Sequence, residues 1–161
     1  MISGAVRVGT RDHAPIGKAS PRGDTAQAMS RENVETVRRI YEQGLLDREP
    51  DRLLELATPD VEYVNPPEAV EPGVRCGHAE VAQAVRNLTH PFDSTRNELC
   101  GLFDGGDIVV ASVRFCTRSR GSRSEVVQEE AHTWTLRDGK IARFEWGRDL
   151  GAALEAAGLK E

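Results

Sequence analysis

Cysteine is sparse in this 161-residue chain, and Cys76, Cys100 and Cys116 share no C-x-x-C or other metal-type spacing. An odd, scattered set excludes a disulfide framework and a structural zinc site, and it reads as reduced thiols in a cytosol. Long apolar runs are missing too. Stretches such as residues 108–112 fall far short of the ~20 residues needed to cross a bilayer. The first residues lack the apolar centre and small-residue cleavage site of a signal peptide. A cytoplasmic protein without a membrane partner is expected. Positive charge is in deficit: 21 Lys and Arg face 26 Asp and Glu, for a net charge of −5. This argues against nucleic acid as a partner, because phosphate-backbone binding needs a cationic face. The chain also has no His/Asp/Glu cluster at metal-ligand spacing, no glycine-rich phosphate loop and no G-x-S-x-G elbow. Neither a metal nor a cofactor is expected.

Hydrophobic residues make up 39% of the chain and charged residues 29%, so part of it lies outside any core. Residues 1–28 account for some of this. They contain no Phe, Tyr or Trp, six Gly or Pro, and four basic against two acidic side chains. Such a segment buries too little apolar surface to offset its ordering entropy and reads as a flexible N-terminal tail. Taking its +2 from the total leaves −7 for residues 29–161, a length that suits one domain. Met29 stands directly before Ser30, which resembles a helix N-cap, so an alternative start there fits the pattern.

Val34, Val37, Ile40, Tyr41 and Leu45 recur at three and four residues and predict an amphipathic helix. Leu53, Leu54 and Leu56 predict a short second helix stopped by Thr58-Pro59-Asp60, and residues 61–65 a short strand ended by Pro66-Pro67. A loop follows, then a helix over residues 78–88. The second half changes character. Residues 96–103, 107–117, 124–136 and 140–147 are rich in Val, Ile, Phe, Thr and Trp and are divided by turn sequences, of which Asp138-Gly139 is a strong hairpin signal. Four such strands read as an antiparallel meander, followed by a short helix near residues 152–157. The fold class is α+β, with helices packed on one antiparallel sheet.

Strand residues two apart share a face. Tyr63 and Asn65 therefore lie together, as do Gln128, Glu130, His132, Trp134 and Leu136, and as do Phe144 and Trp146. A pocket lined by Tyr41, Tyr63, Asn65, Phe115, His132, Trp134, Phe144 and Trp146 is predicted.

Several motifs carry a family resemblance: residues 33–42, residues 50–63, Gly77-His-Ala-Glu-Val, and the run from His132 through Asp138-Gly-Lys-Ile to Trp146. Together they resemble the SnoaL-like group of the nuclear-transport-factor-two-like superfamily, which includes ketosteroid isomerases and polyketide cyclases. The resemblance spans about residues 30–159. It implies a cone-shaped curved sheet (cystatin-like in class) wrapped around N-terminal helices, an apolar pocket in the cone, and a homodimer formed through the outer sheet face. It also places Tyr41 where ketosteroid isomerases carry an oxyanion-donating tyrosine and Asn65 where they carry the general base. His132 falls at the position of their protonated Asp and of the cyclases' pocket histidine. Trp146 replaces the cyclases' acid/base aspartate.

Each candidate has a functional and a structural reading. His132 suits proton transfer near neutral pH, or is a half-buried histidine bonded to Glu130 or Tyr41. Tyr41 donates to an oxyanion or fills core. Asn65 orients a substrate or satisfies backbone before Pro66-Pro67. Glu130 is a desolvated base or a solvated rim charge. Trp134 and Trp146 are pocket wall or core. The functions that follow are a cofactor-independent isomerase, cyclase or lyase for a small apolar carbonyl compound, with His132, Tyr41 and Asn65 at its centre, or a non-catalytic binder of a small hydrophobic ligand. An assembly module using the outer sheet face is the third.

Overall fold

A computed structural model describes residues 5–8 and 21–160. The elements in chain order are β1 (Ala5–Val8), α1 (Pro21–Glu42), α2 (Leu45–Arg48), α3 (Pro50–Glu55), β2 (Ala57–Asn65), β3 (Gly73–Cys76), α4 (His78–Thr89), β4 (Phe92–Asp104), β5 (Ile108–Ser119), β6 (Val126–Arg137), β7 (Lys140–Gly147) and α5 (Leu150–Ala156). They form one curved seven-stranded sheet in the order β1-β4-β5-β6-β7-β2-β3, with the N-terminal helices against its concave face.

The expected α+β cone is present. Its antiparallel meander β4-β5-β6-β7 holds, and the β6-β7 connection is the tight positive-φ turn that Asp138-Gly139 predicts, with φ of 53° and 78°. Two strand pairings depart from a purely antiparallel sheet. β2 runs parallel to β7, and β1 runs parallel to β4.

Other boundaries differ from the sequence reading for identifiable reasons. α1 starts at Pro21, so residues 21–28 of the segment read as a tail are helical and residues 5–8 form an edge strand, while residues 1–4 and 9–20 lie outside the described residues. Ser30 is inside α1 rather than at its cap, and its hydroxyl donates to the Asp104 carboxylate. With Asn33 Nδ2 donating to Gly106 O at 3.0 Å, it ties the helix to the β4-β5 turn. Gly44, at φ 63°, ends the helix before Leu45, which is buried from α2 instead. Thr58 and Pro59 belong to β2, in the stretch where its register with β7 breaks, so the proline displaces no ladder bond there. β3 stands where the sequence pattern predicts a loop. It is four residues long, lies at the sheet edge and is mostly exposed, so it shows no hydrophobic alternation.

The main core lies between α1 and the sheet. Val37 and Ile40 from the helix meet Leu102, Val109, Ala111, Val113 and Trp134, all essentially fully buried. At about 1.5–3 kcal/mol for each large apolar side chain, this contact dominates helix docking. A second, smaller core lies on the other face. There α5 covers the β5 end with Leu154 and the following Leu159 packed on Val110, beside Phe103 and Ile108. Asp149 caps α5 by accepting from Ala152 N at 3.0 Å, and Leu159 N returns to Leu154 O at 2.8 Å past Gly158.

Leu154 has no solvent exposure and anchors that helix. Leu154→Ala is expected to lower unfolding free energy by about 2–5 kcal/mol in urea denaturation. A loss below about 0.5 kcal/mol, the level of a neutral surface change, would show that α5 is not docked as described.

Candidate functional site

Strand register decides which side chains meet. On β6 the residues Gln128, Glu130, His132 and Trp134 point to the concave side, and the pairings His132↔Trp146 and Trp134↔Phe144 bring β7 beside them. Tyr63 on β2 sits opposite Phe144. Tyr41 arrives from the buried stripe of α1.

These residues form a continuous hydrogen-bonded chain. Trp134 Nε1 donates to the Tyr41 hydroxyl at 2.9 Å, and the same hydroxyl lies 2.6 Å from His132 Nδ1. His132 Nε2 lies 2.9 Å from Glu130 Oε1, and Gln128 Nε2 donates to Glu130 Oε2 at 2.6 Å. The carboxylate sets the direction. An ionised Glu130 only accepts, so a neutral imidazole carries its proton on Nε2, facing Glu130. Nδ1 is then the acceptor, and the phenol hydrogen points at it while the phenol oxygen accepts from the indole N–H. The chain is buried: His132 is 2% exposed and Glu130 8%. Glu130 is thus no rim charge, and His132 is buried rather than half-buried.

One face of this chain opens on a cavity of about 540 Å³, inside the range of small-molecule sites. Glu130, His132 and Gln128 line it with Tyr63, Asn65, Phe115, Phe144 and Trp146. Five of the chain's eight aromatic residues form its walls, since Phe92 joins Tyr63, Phe115, Phe144 and Trp146. Ring contacts hold the walls: Tyr63 stacks on Phe144 with centroids 5.3 Å apart, and His132 meets Phe144 edge-on at 5.0 Å.

Two expected pocket residues sit elsewhere. Tyr41 and Trp134 are not on the cavity wall but behind it, where they support His132. The Tyr41 hydroxyl is committed to that role. Asn65 reaches the cavity, yet its Oδ1 accepts from Trp146 Nε1 at 2.6 Å and its Nδ2 donates to Glu71 O at 2.7 Å. It fastens the loop after β2 to β7, close to its structural reading. Sequence reasoning left Gln128 out of the site, although its alternation with Glu130 and His132 placed it on the right face. Asp47 and Asn97 also line the cavity. The Asp47 carboxylate accepts from Asn97 Nδ2 at 2.6 Å and from its backbone N at 3.1 Å, a pairing across 50 residues that no local pattern announces. Among the described residues no group of three or more His, Cys, Asp or Glu side chains is placed to hold a metal ion. No described helix is long and apolar enough to cross a membrane.

A family model described as SnoaL-like domain matches residues 37–144. No curated protein matches. Among solved structures, TerC co-crystallised with polyporic acid is 27% identical, with a TM-score of 0.64 over 79% of this chain and 98% of its own. A Jannaschia sp. CCS1 protein that carries the description SnoaL-like polyketide cyclase is 22% identical, with a TM-score of 0.65 over 91% of this chain and 96% of its own. A Catenulispora acidiphila DSM 44928 protein with a ketosteroid isomerase-like fold, in complex with trimethylamine, is 17% identical, with a TM-score of 0.56 over 70% and 84%.

Both tyrosines of the chain belong to this site, and burial pushes both phenols above their ordinary value of 10.0. Nearby Glu130 adds to the rise in each case. The folded state therefore holds more protons than the unfolded state above pH 10.0, so stability is complete below that pH and falls as pH rises past it. An absorbance titration is expected to show phenolate only together with loss of circular dichroism. A phenolate signal growing near pH 10.0 with the fold intact contradicts this.

Proposed function

The chain belongs to the SnoaL-like domain family, and on that footing we propose that it is a cofactor-independent isomerase, cyclase or lyase acting on a small apolar carbonyl compound, with Glu130 and His132 as its proton-handling pair. The observation that carries the reading is a buried carboxylate bonded to an imidazole at the wall of an aromatic cavity. Such a pair is the arrangement general acid–base chemistry uses. The likeness to TerC, itself seen with polyporic acid, supports a cavity for an oxygenated organic ligand.

In this reading Glu130 takes a proton from the carbon next to the carbonyl, and the electron pair of the broken C–H bond moves into the enolate. His132 Nε2–H holds Glu130 Oε1 in place. Tyr41 fixes the imidazole from behind and so is a positioning residue. Gln128 uses one amide hydrogen on Glu130 and has its second unengaged by any described residue, which suits it to the enolate oxygen. Return of the proton to a different carbon gives isomerisation. Attack of the enolate on a second carbonyl of the same molecule closes a ring, and loss of a β-substituent gives elimination.

A non-catalytic binder of a small hydrophobic ligand is the second reading. It is favoured by one observation: both His132 nitrogens already have protein partners. Exchange of α-hydrogens for deuterium separates the two without knowledge of the natural substrate. With n-alkyl phenyl ketones in D₂O, the enzyme reading expects protein-accelerated deuteration, reduced at least ~100-fold in Glu130→Gln and His132→Gln. Binding without exchange selects the binder.

We also propose a cytoplasmic homodimer. The three unpaired thiols suit a reducing compartment. On the outer sheet face, α5 covers only the Val110 end, while Arg114 faces Glu129 across β5 and β6. This opposite-charge pair is suited to a twofold, self-complementary contact. Sedimentation is expected to give twice the 17.7 kDa chain mass, shifting toward one chain in Arg114→Glu, which sets like charges against each other, and back toward two chains when Glu129→Arg is added. A wild-type monomer at all concentrations overturns it.

A further inference from the structure

The cavity has a polarity that runs opposite to an ordinary surface cleft. Its deepest walls are polar as well as aromatic: His132 and Glu130 are 2% and 8% exposed, and Gln128 bonds Glu130 beside them. At the other end, three lining residues are large hydrophobes open to solvent: Val70 at 100%, Val126 at 62% and Leu88 at 37% exposure. A residue that both lines a cavity and is exposed stands at its mouth. Only six described large hydrophobes are exposed, and half of them are these three. They come from three separate elements, namely the loop after β2, the start of β6 and α4, which converge on one opening. Pro91 and Phe92 continue the apolar rim inward.

Charged groups share the mouth with these side chains. Glu71 is held by Arg75 at 3.8 Å and by Asn87 Nδ2 at 3.5 Å, which leaves Glu68 and Arg148, of opposite sign, as the exposed charges of the opening. An exposed Val, Leu and Val around a cavity gain nothing from water and gain most from an apolar group laid over them.

We propose that the ligand is amphipathic and longer than the cavity: its carbonyl end enters first, to Glu130 and His132, and its apolar tail runs out over Val70, Leu88 and Val126. The substrate class is then a carbonyl compound bearing an extended alkyl or aryl tail, not a compact ketone enclosed by the walls. This rests on the proposed reading of Glu130 and His132 as the carbonyl-handling end. The rim is continuous with the cavity wall, because the same three side chains belong to both, and for this reason the tail of the bound molecule is the occupant rather than a second protein.

Calorimetric titration with n-alkyl phenyl ketones of increasing length tests it. Affinity is expected to rise about fourfold per added methylene and to keep rising after the cavity is filled. The triple variant Val70→Ser, Leu88→Ser, Val126→Ser changes exposed positions only and keeps the core intact. It is expected to bind the shortest ketones as the wild type does and to lose tenfold or more on the longest. A plateau at short length, or equal losses along the whole series, overturns the tail assignment while short-ketone binding that disappears in Glu130→Gln leaves the carbonyl site standing. Failure of every ketone to bind overturns both. Long-ketone binding unaffected by the triple variant places the tail elsewhere and also overturns the proposal.

Discussion

The 2.6 Å contact between the Tyr41 hydroxyl and His132 Nδ1 is the interaction on which the site depends. It joins the first helix to the middle of the sheet across 91 residues of sequence, inside a region where an unpaired polar group costs about 1–3 kcal/mol. Apolar packing of Val37 and Ile40 brings the helix onto the sheet, but it is nearly blind to rotation and sliding by a fraction of a turn. A phenol that must meet both an indole N–H and an imidazole is not. This contact, with those of Ser30 and Asn33 to the β4-β5 turn, sets the register of the helix, and Tyr41 holds the imidazole that bonds Glu130.

The consequence for chemistry is a division of labour between two sides of one histidine. Tyr41 and Trp134 use the side facing the core, and Glu130 with Gln128 uses the side facing the cavity. Each polar side-chain atom of Trp134, Tyr41, His132 and Glu130 has a partner, a condition under which buried polar networks hold a single arrangement. Aromatic residues are only 5% of the sequence, yet seven of the eight either line the cavity or stand behind His132. They are spent almost entirely on one place. The rest of the fold is built with Val, Leu, Ile and Ala.

How much of this was legible in the sequence follows from the range of each signal. Strand alternation put Glu130, His132 and Trp134 on one face and Phe144 and Trp146 on another that meets it, because period two is local and survives tertiary context. Helical spacing found the buried stripe of α1 for the same reason. Depth was not legible. Nothing local separates a tyrosine on the wall from one a layer behind it, and the cavity wall carries Glu130 and Gln128 where the sequence pattern predicts Tyr41. Nor was the Asp47 to Asn97 pairing visible, or the capture of Asn65 by Trp146, since both join segments that only the closed sheet brings together. At the boundaries, the end of α1 at Gly44 and the place of Pro59 inside β2 depend on a left-handed turn and a register break that sequence pattern does not encode. β3 escaped because a short, exposed edge strand is held by its neighbour and not by burial of its own side chains.

The parallel pairing of β2 with β7 has a consequence for how the molecule comes into being. Parallel neighbours need a long crossover, and here it contains β3, α4 and the strands β4 to β6, so Tyr63 and Asn65 must wait for Phe144 and Trp146, 81 residues later. Contacts this distant carry their loop-closure entropy before they return anything, which slows folding and delays it relative to synthesis. A nascent chain can form α1 to α4 and most of the meander while its cavity still lacks a side. The cavity is closed only once β7 is in place, and until β7 leaves the ribosome the space beside the sheet is not enclosed.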